Sequence, residues 1–86
     1  MTHYIITETR INAMSNPEVS VAGLLDNKED AKAHFTFLVD EAVQDYGAEL
    51  DYGITANINT EMGVAEFYNE EDPLMDYYAI EIHEID

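Results

Sequence analysis

Apolar and polar residues repeat along this chain with two different periods, and the change of period divides it into strands and one helix. "HYIITETRI" is β-branched and short, and predicts a strand from about residue 3 to 12. "NAMSNPE" follows, where Asn, Ser and Pro mark a turn. "EVSVAGLL" predicts a second strand from about 18 to 25, so that the two form an antiparallel hairpin. The period then becomes helical. In "DNKEDAKAHFTFLVDEAVQDYG", Ala31, Phe35, Leu38, Val39, Ala42 and Tyr46 fall on one stripe, which should pack on a sheet. Asp26 is placed to cap this helix, with Glu29 three residues later completing a capping-box-like pair. Gly47 suits the left-handed position that ends it.

Strict alternation returns in "LDYGITANI", where Leu50, Tyr52, Ile54, Ala56 and Ile58 point one way and Asp51, Thr55 and Asn57 the other. "NTEMG" predicts a hairpin turn, "GVAEFYN" a strand, and "EEDPLM" a Pro-containing loop. "DYYAIEIHEI" predicts the last strand, with Tyr78, Ile80 and Ile82 on one face and Tyr77, Glu81 and His83 on the other. The order is β-β-α-β-β-β, a single α+β domain over residues 1–86. Short connections favour an antiparallel sheet. One helix covers one face of it, which leaves the other solvated or bound.

Charge changes this picture. Nineteen Asp and Glu oppose three Lys and Arg, a net charge of −16. The bases are Arg10, Lys28 and Lys32, so residues 33–86 carry fourteen acids and no Lys or Arg. A solubility surface normally mixes both signs. A one-signed surface opposes compaction, attracts basic surfaces at long range, and repels nucleic acid and anionic membranes. The apolar fraction of 47% is too high for a disordered acidic tail. There is no Cys, hence neither disulfides nor thiolate metal sites. The N-terminus lacks the pattern of a signal peptide, and no apolar run approaches ~20 residues. A cytoplasmic protein is the expectation.

Candidate binding residues follow from the faces. The open sheet face should gather Asp51, Thr55, Asn57, Tyr77, Glu81 and His83, joined by Glu66 and Tyr68. Carboxylates with Tyr rings suit Lys and Arg side chains. On the helix, Phe37 lies nearly opposite the core stripe, ringed by Asp30, Ala33, His34, Asp40, Glu41 and Gln44, like a hot spot with a charged rim. Glu70, Glu71 and Asp72 form an acidic loop, and Asp76 opens the last strand. An ordinary wet sheet face and a lone exposed Phe are the plain alternatives.

Other chemistry is poorly supplied. His3, His34 and His83 have no paired-ligand spacing, and Glu81 with His83 on one strand face is incidental placement as a metal pair. No calcium loop, cofactor motif or phosphate loop is present. The serines are only Ser15 and Ser20, and no nucleophile–base pattern stands out, so the expectation is a protein that is not an enzyme.

Small size, acidity, absent Cys and a compact α+β pattern, with "NEEDPLMDYYAIEIHEID" as the most telling stretch, resemble the small acidic inhibitors of phages and mobile elements. Anti-CRISPR and anti-restriction DNA mimics are of that class. The resemblance implies a non-enzymatic inhibitor in the host bacterial cytoplasm that occupies the basic nucleic-acid-binding surface of a defence nuclease complex. Carboxylates on adjacent strands, ~4.8 Å apart, would imitate phosphates in two rows. The alternative is a small structural or adaptor module that homodimerises, or binds a partner, through its open sheet face or edge. In that reading the last strand lies at an edge, where its acids discourage aggregation.

Overall fold

A computed structural model of the chain describes residues 2–12, 15–72 and 76–86. The elements follow in the expected order: β1 (His3–Asn12), β2 (Ser15–Leu25), α1 (Lys28–Tyr46), a 3-10 turn (Gly47–Asp51), β3 (Ile54–Asn59), β4 (Val64–Asn69) and β5 (Asp76–Ile85). All five strands pair antiparallel in one sheet of spatial order β2-β1-β5-β4-β3. This is the α+β domain that the two periodicities predict.

The last strand is central, not at an edge. β5 lies between the β1–β2 and β3–β4 hairpins and pairs with both β1 and β4. β5 alternates apolar and polar residues, so a central position lets Tyr78 and Ile80 enter the core. The edges are β2 and β3. Pro17 stands in β2, where an edge strand tolerates its missing N–H. The first two strands approach more closely than the "NAMSNPE" turn suggests, running to Asn12 and from Ser15, and residues 13–14 lie outside those described.

The helix stripe lies on one face of the sheet. Phe35, Phe67, Ile6 and Ile80 are the largest fully buried side chains, and Val39, Ala42, Ala65 and Ile54 pack with them. Phe67 stacks between Tyr46, at 5.2 Å, and Tyr78, at 6.1 Å. Each such side chain contributes roughly 1.5–3 kcal/mol by burial. Gly63 lets the β3–β4 turn close onto β5. Its φ is 69°, a Cβ there would sit 2.9 Å from Ile82 Cβ, and its carbonyl accepts from Ile82 N at 2.8 Å.

Two boundaries differ from the sequence reading. The N-cap is Asn27, one residue after Asp26. Its Oδ1 accepts from the Asp30 amide at 2.8 Å, and its Nδ2 donates to the Asp30 carboxylate at 2.9 Å. Asp and Asn are nearly equivalent caps, and the stripe beginning at Ala31 permits either. Asp51 is not on a strand. After the Gly47 cap, at φ 53°, the chain makes a 3-10 turn that the Tyr52 amide closes on the Glu49 carbonyl. Alternation continues through this turn by coincidence, so the strand begins only at Ile54.

Candidate functional site

Topology collects the acids at one end of the molecule. α1 starts beside the end of β2 and runs back, so its C-terminus lies at the end of the sheet where β1 finishes, β3 starts, β4 finishes and β5 starts. Asp45 and Glu49 arrive there on the helix and the 3-10 turn, Glu70, Glu71 and Asp72 on the loop, and Asp76 on β5. No basic residue stands in the last turn of α1. The helix macrodipole is negative at that terminus and disfavours acids there by roughly 0.3–1 kcal/mol each. Glu41 and Asp45 are also like charges at i, i+4, which costs a few tenths of a kcal/mol more. Glu41, Asp45 and Glu49 are therefore placed against local stability.

Part of this end is a groove of about 320 Å³ between α1 and β1. Its carboxylates are Glu8, Glu41, Asp45 and Glu49, and its aromatic walls are Tyr46 and Tyr78. Arg10, itself exposed, already lines it. Its guanidinium lies 4.5 Å over the Tyr78 ring, and Nη2 donates to Glu8 Oε2 at 3.2 Å. Glu8 also holds the Tyr78 hydroxyl. Arg10 thus displays the chemistry of the groove, a cation between an aromatic face and a carboxylate. Four carboxylates to one guanidinium leave the lining with excess negative charge. Burial, then Asp76, pushes the Tyr46 hydroxyl up to about 12, with Glu49 adding and Arg10 opposing. Burial, then Glu8, raises that of Tyr78 as well.

The sequence-predicted residues divide among separate surfaces. Glu41 lines the groove, and Glu70, Glu71, Asp72 and Asp76 share the acidic end. In the loop, Asn69 Oδ1 accepts from the amides of Glu71 and Asp72, which orders the start of "EEDPLM"; residues 73–75 of that segment lie outside those described. Asp40 and Phe37 are exposed on α1, Phe37 at 56%, and Phe37 stacks on His34 at 6.4 Å. Asp30 is at the far end of α1 and is engaged by the N-cap. Glu66, Tyr68, Tyr77 and Glu81 do share the open face with Thr55, Asn57 and His83.

That face does not form two rows of carboxylates. Glu66 stands opposite Ala79 and Asn57, and Glu81 opposite Val64 and Thr7, so neither acid has an acidic cross-strand partner. His83 lies 3.7 Å from Glu81 and 2.9 Å from Thr7 Oγ1. Burial, then Glu66 and Glu81, raises the Tyr77 hydroxyl.

Glu8, Arg10, Asp45 and Glu49 belong to the groove, and sequence reasoning missed them. The i, i+4 run Glu41, Asp45, Glu49 was a visible signal. So was the i, i+2 pair Glu8 and Arg10, on the strand face that also carries Ile6. Among the described residues no three His, Asp or Glu side chains converge as metal ligands. Among the described residues no helix is long and apolar enough to cross a membrane. No protein-family model, curated protein or solved structure is similar to this chain.

Proposed function

We propose that the chain is an acidic protein-binding inhibitor that occupies the basic nucleic-acid-binding surface of a partner, of the kind found in a host defence nuclease complex. The observation that carries this reading is the acidic end itself. Glu41, Asp45 and Glu49 line the groove at a helix C-terminus that disfavours acids, Asp76 acts on Tyr46 beside them, and the Glu70–Asp72 loop follows β4 at the same end of the sheet. A surface built only for solubility gains nothing from that concentration. Lys and Arg side chains are the natural complement, and the groove offers them what it offers Arg10. The field of the acidic end accelerates encounter, and the groove supplies the desolvated contacts that slow dissociation.

In this reading the chain acts by occupancy and makes no direct contact with nucleic acid. The test uses bacterial CRISPR and restriction effector complexes and their labelled target DNA, titrated with the protein. Loss of DNA binding by an effector, reversed by added DNA and weakened by salt, is the expected result. E41K, D45K and E49K together should abolish the effect while leaving the circular dichroism spectrum unchanged. If no effector releases its DNA even at low ionic strength, the reading fails.

A further inference from the structure

The open sheet face is the reverse of the face that α1 covers. By register it carries Ile5 and Ile11 of β1, Val19, Val21 and Leu24 of β2, and Ile85 of β5. Val19, Val21 and Leu24 are 68%, 61% and 73% exposed. An antiparallel sheet with one solvated face alternates apolar residues inward and polar residues outward. β2 does not: Ala22 and Leu25 pack on the core while Val19, Val21 and Leu24 stand on the opposite face. Among the described strand residues the acids on this face are Glu66 and Glu81, and Asp26 borders it beside His3, at 3.3 Å. Glu66 and Glu81 are on β4 and β5 beside the apolar strip, and the same face carries His3 and His83.

We infer that this face is covered by the same face of a second copy of the chain. Two sheets pack ~10 Å apart about a two-fold axis, with the helices outside. Charge selects this occupant. At −16, two copies repel through almost any other pair of surfaces, and this broad face sets few acids, Glu66, Glu81 and the bordering Asp26, against its duplicate. A basic partner is drawn to the acidic end, where the counter-charge lies, and an anionic membrane is repelled. The area is adequate as well. Strands ~4.8 Å apart with a rise of ~3.3 Å give the five-stranded face roughly 700 Å² of planar surface. Specific interfaces take ~600–1,000 Å² from each partner. The arrangement leaves both acidic ends outside the interface, so it stands or falls separately from the inhibitor reading.

Sedimentation velocity over a micromolar concentration series, in low and high salt, tests it. The expected result is a monomer–dimer equilibrium that tightens as salt screens the net charge, the opposite of the salt effect expected for a basic partner. V21E and L24E should each weaken the dimer by roughly tenfold or more. T9E, which adds charge to the same face without removing an apolar side chain, should do the same if either variant folds poorly. A monomer at every concentration in high salt overturns the inference. So does a dimer indifferent to all three variants but dissociated by F37E, which would place the contact on the helix.

Discussion

Asn27 and Gly63 each fix the chain at a point that few other residues could serve. Asn27 satisfies the Asp30 amide and receives the Asp30 carboxylate on its own Nδ2. Asn27→Ala should lower stability by about 1 kcal/mol, read from the urea midpoint. Gly63→Ala combines positive φ with a clash against Ile82 Cβ and should cost more. Tyr46 carries a pH signature. Its hydroxyl sits at about 12 in the folded chain against an ordinary 10.0, so the neutral form is favoured by folding. That contribution is complete below pH 10 and is lost as pH rises through 12. Urea midpoints at neutral and strongly alkaline pH should show wild type losing more stability than Tyr46→Phe; equal losses would contradict the assignment. At this scale the sequence was partly legible. The polarity of Tyr77, Glu81 and His83 announced their face, whereas Tyr78, the shared partner of Glu8 and Arg10, comes from a strand distant in sequence and left no local mark.

The helix is the element where stability and surface charge conflict most directly. Its buried stripe, Ala31, Phe35, Val39 and Ala42, was readable because 3.6-residue periodicity survives any tertiary detail. Its acidic C-terminal half has no such structural reason. Asp45→Lys removes the repulsion from Glu41 and complements the macrodipole, and should stabilise the fold by roughly 0.5–1 kcal/mol in urea unfolding. The same substitution should weaken inhibition in the DNA-release assay. A variant that is more stable and equally active would remove the helix from the binding surface. Among the strands, alternation revealed each face but not the spatial order. Nothing local to β5 states that it is inserted between two hairpins. Nor does alternation distinguish Leu50–Tyr52, in and after a 3-10 turn, from the strand that follows.

At the scale of the whole molecule, the charge is sorted and not spread. The apolar open face lies on one side of the sheet, the helix on the other, and the densest acids at one end of a body 42 Å long. The sequence announced how much negative charge there was. Its placement depended on which strand ends the topology brings together, which composition cannot encode. Because the Debye length is ~30 Å at 0.01 M salt and ~3 Å at 1 M, charges across the molecule repel one another only in dilute buffer. The measurement that tests the central claim most directly is a titration of the isotopically labelled protein with an oligo-arginine peptide, followed by amide chemical shifts. The account predicts salt-sensitive shifts concentrated at Glu8 and Arg10, from Glu41 to Glu49, from Glu70 to Asp72 and at Asp76. Shifts spread evenly over all acidic segments, or centred on the open sheet face, would contradict it.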